Sequence, residues 1–107
     1  MEGSDARTES EARIVDDPEE RRYELWAGDE LAGVINYEPR PETVVLIHTE
    51  IREAFEGRGL GTRLIAGALE DIRARGLKLL PVCPFVRAYL RRHPEDRDLV
   101  VHGSGTQ

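Results

Sequence analysis

Residues 47–76 read IHTEIREAFEGRGLGTRLIAGALEDIRARG. Two periodicities meet in this stretch. Its opening residues continue the β-branched run Thr43 to Ile51, TVVLIHTEI, which reads as a strand. Its second half places Leu60, Leu64, Ile65, Ala68, Leu69 and Ile72 on one face of a helix. Gly76, following Arg73 and Arg75, supplies the stop. Between the two lies Glu56 to Gly61, EGRGLG. Glycine costs backbone entropy, so three in five positions require a reason. Either the segment is a bare turn, or its backbone must lie close to something else. Gly67, inside the helix, costs about 1 kcal/mol against alanine and poses a second question.

Further strands lie on either side of this unit. Arg13-Ile14-Val15 begins a first strand that is expected to break at Asp16-Asp17-Pro18. Arg21 to Ala27 and Glu30 to Tyr37 read as strands joined by a turn at Gly28-Asp29. Pro39 to Glu42 is a loop, because two prolines block continuation. With Thr43–Ile51 these strands form an antiparallel meander. Leu77 to Val82 is a further strand, expected to run parallel to Thr43–Ile51, which makes a βαβ unit with a right-handed crossover. Pro84 to Arg92 is a short helix with proline in its first turn. A short strand is expected over Asp98–Val101. The fold class is α/β (α+β): an N-terminal antiparallel meander, a βαβ unit and a short C-terminal helix.

A chain of 107 residues is one domain with one core. Residues 1–12 are expected to be a disordered acidic tail, 13–102 the domain and 103–107 a flexible end. No apolar run approaches membrane-span length, and the N-terminus lacks the apolar core of a signal peptide, so a cytoplasmic location is the expectation. The single cysteine, Cys83, fits a reducing compartment. Residues 1–20 hold eight acids and two bases, which is the whole net charge of −6. Residues 21–107 hold thirteen of each sign, so an anionic ligand is compatible with the folded part. Nucleic-acid binding is not expected of such a surface. No Cys/His cluster has metal-ligand spacing, so no metal is expected.

The glycine turn sits where a helix begins. A helix N-terminus leaves backbone N–H groups unpaired and carries partial positive charge. Without Cβ atoms an anion can approach them, pyrophosphate above all, with Arg58 and Arg63 adding charge. A phosphate loop of the Walker type would need a lysine after the glycines, where Gly61-Thr62-Arg63 has none. A dinucleotide fingerprint would need a third glycine where Thr62 stands and a mostly parallel sheet.

A meander, a strand and then x-x-G-x-G opening a long helix resembles the GNAT superfamily of acyl-CoA N-acyltransferases. More narrowly, the chain is similar to its small single-domain predicted acetyltransferases. The match is carried by His48-Thr49-Glu50, by Glu56 to Gly61, by Pro81 to Val86, by Tyr89 to Pro94 and by Asp98-Leu99-Val100. The resemblance as a whole covers residues 13 to 101. Glu56 stands where the superfamily pattern has Gln or Arg. The resemblance implies acetyl-CoA as co-substrate. It implies that Gly57, Arg58, Gly59, Leu60, Gly61 and Thr62 bind the pyrophosphate, and that Thr49, Glu50 and Ile51 pair with the pantetheine arm. Phe85, Tyr89 and Arg92 complete the implied cofactor site. Tyr89 is either the proton donor to the leaving thiolate or a core residue. Arg91 and Arg92 either face the ribose phosphate or form a solvated face.

Acyl transfer to an amine requires loss of an amine proton, a stabilised carbonyl oxygen and a thiolate that can leave. His48 and Cys83 are the catalytic candidates. Each lies near the C-terminal end of one of two parallel strands, the sheet edge where ligands bind in open α/β sheets. Cys83 also precedes a helix N-terminus, which favours a thiolate. A nucleophilic cysteine would pass through an acetyl-cysteine intermediate. Otherwise the amine attacks directly, with His48 or a water as base. The competing reading makes Cys83 a small apolar filler and His48 a half-buried strand residue. Tyr23, Trp26 and Tyr37 are expected in the core, and His93 and His102 are expected to be structural or exposed. The function expected is acetyl-CoA-dependent transfer to a primary amine on a small molecule or protein, by a monomer or weak homodimer. Gly28-Asp29 leaves no room for the helices that border the acceptor pocket in larger relatives, so an acyl-CoA-binding or sensing module without turnover is the alternative.

Overall fold

The computed structural model describes residues 12–101. The expected tail before Ala12, the end over 103–107 and His102 lie outside the described residues. Five strands form one sheet in the order β1-β2-β3-β4-β5. They are β1 Arg13–Asp17, β2 Arg22–Ala27, β3 Glu30–Pro39, β4 Thr43–Ile51 and β5 Lys78–Pro81. Helix α1, Leu60–Ala74, joins β4 to β5, and α2, Pro84–Arg92, follows β5. Two 3-10 turns, Glu53–Phe55 and Pro94–Leu99, complete the chain. The first four strands pair antiparallel, while β4 and β5 pair parallel. The meander, the βαβ unit and the short second helix thus stand where the periodicities put them.

Register assigns every strand residue to a face. Tyr23, Ile35 and Thr49 lie opposite one another across β2, β3 and β4, as do Leu25, Gly33 and Ile51. This face packs on α1, whose Leu60, Leu64, Ile65, Ala68, Leu69 and Ile72 are all buried. Each large apolar side chain buried there contributes roughly 1.5–3 kcal/mol. Val86, Tyr89 and Leu90 of α2, with Leu99 and Phe55 from the two turns, belong to the same continuous cluster. All helical elements among the described residues therefore contribute to one core, although Phe85 of α2 stays exposed. The other face carries the row Arg22, Asn36, His48 and the row Glu24, Val34, Glu50, and no helix among the described residues covers it.

Gly67 is explained by close approach. A Cβ there would collide with the Ile14 side chain of β1, so the missing side chain lets the edge strand lie against α1. β1 continues through Asp16 and Asp17, pairing them with Tyr23 and Arg22, rather than ending before them. Asp16 is tolerated because the Tyr37 hydroxyl donates to it at 2.5 Å and Arg75 lies 3.0 Å away. The strand expected at Asp98–Val101 is instead a 3-10 turn with one isolated bridge, Leu79 to Val100. Arg73 holds that turn to α1 through a two-pronged pair with Asp98, at 2.8 and 2.9 Å, and a contact to Asp96 at 3.2 Å.

One irregularity positions the site. Asn36 pairs with His48 but Tyr37 pairs with Leu46, so Ile47 is an extra residue in β4. A bulge of this kind moves side-chain alternation by one place. Before it, Val44 and Leu46 face the core. After it, Thr49 and Ile51 share the face of Ile35 and Gly33, while His48 and Glu50 take the open face.

Candidate functional site

The end of β4 is an unpaired edge. β5 pairs with β4 only from Thr43 to Leu46, and the N–H groups of Val82 and Cys83 both donate to the Leu46 carbonyl, at 3.0 and 2.9 Å. Beyond that point the two strands part. Arg52 N–H donates to the Ala32 carbonyl at 2.8 Å, so the backbone of Arg52 is turned to β3. By alternation, Thr49 and Ile51 turn their N–H and C=O groups to the vacated side. Thr49 and Ile51 are two of the three residues expected to pair with a pantetheine arm; the third, Glu50, turns its backbone to β3 instead.

Beside it lies a cleft of about 200 Å³ at the start of α1. Of the residues expected to bind cofactor, Ile51, Gly57, Gly59, Leu60, Gly61, Thr62 and Phe85 line it. Gly59 is the N-cap of α1 and has a left-handed backbone, φ 73°, with no side-chain cap bond. Gly57 is also left-handed, φ 80°. A Cβ at either glycine would point into open space, so backbone conformation, not crowding, demands them. At Gly61 the demand is steric: a Cβ would sit 2.7 Å from the Phe85 ring. The first N–H groups of the helix thus open on the cleft without side chains in front of them, as an anion requires. Phe85 is 44% exposed and forms an apolar wall.

Two further lining residues were not in the expected cofactor set. Phe55 anchors the 3-10 turn in the core and carries Arg58 over its ring at 5.7 Å. Its signal in the sequence was an isolated aromatic in an otherwise charged connection. Glu56 brings a carboxylate to a cleft otherwise suited to anions. Thr49, Glu50, Arg58, Tyr89 and Arg92 do not line the cleft. Tyr89 is buried in α2 and stacks on His93 at 3.9 Å between ring centroids. Burial, and then the charge of Asp96, holds its phenol above the usual range. Arg92 ends α2 in its exposed last turn. His93, expected to be structural or exposed, bonds the Tyr89 carbonyl through Nδ1 at 2.9 Å.

The two catalytic candidates, on β4 and just after β5, lie on different sides of the sheet. Cys83, the N-cap of α2, is 2% exposed, and its Sγ lies 3.3 Å from Thr49 Oγ1, in the core. His48 stands on the open face, with Nε2 3.9 Å from Glu50 Oε1 and its side chain 63% exposed. The structure joins Cys83 to Thr49 and His48 to Glu50; it does not join Cys83 to His48. Ile47 and Val82, both exposed, flank the point where the strands part. A larger cavity of about 740 Å³ lies elsewhere, between β1 and the second half of α1. Four of its polar groups are paired with one another: Tyr23 donates to Asp71 at 2.7 Å, and Arg75 bridges Asp71 and Asp16. Tyr23 and Tyr37 serve the core as expected, while Trp26 lies on the open face and donates to Glu24 at 2.9 Å.

Comparison with known proteins gives a consistent result. Residues 22–99 match the model of a family described as GCN5-related N-acetyl-transferase. The N-acetyltransferase YvbK of Bacillus subtilis, itself uncharacterised, is 36% identical over 72 residues, covering 64% of this chain and 46% of YvbK. The chain thus spans about half the length of that relative. Protein NATD1 of Xenopus tropicalis is 30% identical over 87 residues, covering 79% of this chain and 80% of NATD1. The solution structure of a GCN5-like protein from Staphylococcus aureus superimposes with a TM-score of 0.63, covering 89% of this chain and 96% of that one. At 20% identity it supports the fold alone.

Proposed function

Because the chain belongs to the GCN5-related N-acetyltransferase family, we propose that it transfers an acetyl group from acetyl-CoA to a primary amine. The observation that carries this reading is the coincidence of the unpaired β4 edge with the glycine-lined start of α1. Peptide N–H groups after Gly59 face the pyrophosphate, Thr49 and Ile51 offer backbone groups to the amide-bearing arm, and Phe85 walls the cleft. The co-substrate supplies the activated acyl group as a thioester.

His48, on the open face, takes the proton of the approaching amine, directly or through a water. The free amine attacks the thioester carbonyl carbon, a C–N bond forms and the C–S bond breaks; the thiolate leaves with a proton from a nearby donor, which is made good by the proton the new amide nitrogen sheds. A water is the candidate donor, since Tyr89 is buried against His93 and does not line the cleft. The burial of Cys83 and its contact with Thr49, away from His48, favour direct attack over an acetyl-cysteine. There Cys83 fills the core and fixes Thr49. The uncovered sheet face favours one alternative, an acyl-CoA-binding module that does not turn over.

Titration calorimetry with acetyl-CoA, with ATP and NAD as controls, is the first test. Saturable binding of acetyl-CoA alone is expected. No binding at millimolar acetyl-CoA would remove both the transferase and the binding module. Thiol release with a panel of amines then separates the two, and His48→Ala is expected to lower kcat by about a hundredfold or more without changing acetyl-CoA affinity.

A further inference from the structure

The open face holds a second cleft of about 230 Å³, lined by Arg22, Leu31, Gly33, Val34, Glu50 and Arg52. We propose that this cleft binds the acceptor of the transfer just described, and that the acceptor is a primary amine bearing a carboxylate. The proposal rests on that reading of the site and names its substrate class.

The end of β4 divides the work by alternation. Ile51 turns into the glycine-lined cleft, and its neighbours Glu50 and Arg52 line the second one. The two clefts therefore lie on opposite sides of one strand, as a donor and an acceptor that must meet at its edge require. Two guanidiniums line the second cleft, Arg22 from β2 and Arg52 from just beyond β4. Arg22 is tethered through Nε to the buried Glu24 at 2.9 Å, and Arg52 through Nη1 to the Leu31 carbonyl at 2.9 Å. Each is anchored by one nitrogen and keeps others for a ligand, so both forks are oriented beforehand. Glu24 is itself fixed by Trp26 Nε1. Leu31 and Val34 supply its apolar lining, and Glu50 its carboxylate.

Charge selects the ligand. A diamine would carry one of its cations towards Arg22 and Arg52. A carboxylate there is paired by two guanidiniums, while Glu50 and His48 receive the ammonium end. Arg22, Asn36 and His48 lie directly across three strands. With neighbouring strands about 4.8 Å apart, the row spans roughly 10 Å between its outer backbones, which accommodates an amino acid with a terminal side-chain amine.

The test uses lysine and cadaverine, which differ by the carboxylate. Trp26, the single tryptophan, pairs with Leu31 across the strands and reports on the cleft without any turnover. Lysine is expected to change Trp26 emission saturably, at a concentration at least tenfold lower than cadaverine. Arg52→Gln is expected to bring lysine to the level of cadaverine while leaving the acetyl-CoA titration unchanged. Equal or tighter binding of cadaverine, no response to either compound, or an Arg52→Gln protein that still prefers lysine would overturn the proposal. If lysine binds as expected and acetyl-CoA does not, the cleft stands and the transferase reading falls.

Discussion

Thr49 Oγ1 lies 3.3 Å from Cys83 Sγ, on the face of the sheet that His48 turns away from. A hydroxyl and a thiol are thus paired inside the core, and the imidazole is left to the open face. Cys83→Ala is accordingly expected to keep thiol release within about threefold of the parent and to cost about 1 kcal/mol of stability. Mass spectrometry after rapid quenching should find no acetyl group on Cys83. A kcat lower by several orders of magnitude would reinstate the cysteine as nucleophile.

Gly59→Ala tests the helix cap. A left-handed alanine costs about 1–2 kcal/mol, so the melting temperature should fall. If the cap also presents the helix N–H groups to acetyl-CoA, its affinity should drop in the same variant. Alanine at Glu56 tests the converse, since removing a carboxylate beside an anion should tighten binding.

At Gly67 the usual rule for helices should reverse. Glycine to alanine in a helix normally gains about 1 kcal/mol. Here the new methyl meets Ile14, and a loss of roughly 1–3 kcal/mol is expected from overpacking. Gly67→Ala combined with Ile14→Ala should be less destabilised than the two single effects added. Additive denaturation midpoints would mean that Ile14 simply moves aside.

The tyrosines set the alkaline limit. Burial, followed by a hydrogen bond to Asp71, holds the Tyr23 phenol above its ordinary range; burial and Asp16 do the same for Tyr37. With Tyr89 this accounts for all three tyrosines. Unfolded phenols ionise near pH 10, about where the folded ones are still protonated. Their contribution to stability is therefore complete below that pH and is lost as pH rises above it. Tyrosinate absorbance should appear together with loss of the circular dichroism signal. Tyrosinate forming with an ordinary midpoint in still-folded protein would contradict these environments.

How far the chain could be read depended on how local the signal was. β2, β3, β4 and α1 follow from alternation and the 3.6-residue period, both contained within each segment. β1 extends past Val15 because Asp16 meets Tyr37 and Arg75, partners far along the chain. The last strand gives way to a turn because Arg73 draws in Asp96 and Asp98. The glycine loop was legible as a helix mouth, and seven of the residues expected there do line its cleft. The separation of His48 from Cys83 was not legible, since TVVLIHTEI contains nothing that marks Ile47 as supernumerary.

That extra residue has an evolutionary consequence. Downstream of Ile47, odd and even positions of β4 form two tracks on opposite faces of the sheet, so point substitutions on one can change its surface without disturbing the other. A single-codon deletion at Ile47 would remove the bulge and leave Leu46 opposite Tyr37 and His48 opposite Asn36, so both tracks keep their faces. The strand can thus lose its unpaired residue in register, whereas a one-residue slip of Thr49 to Ile51 against β3 would exchange the two faces.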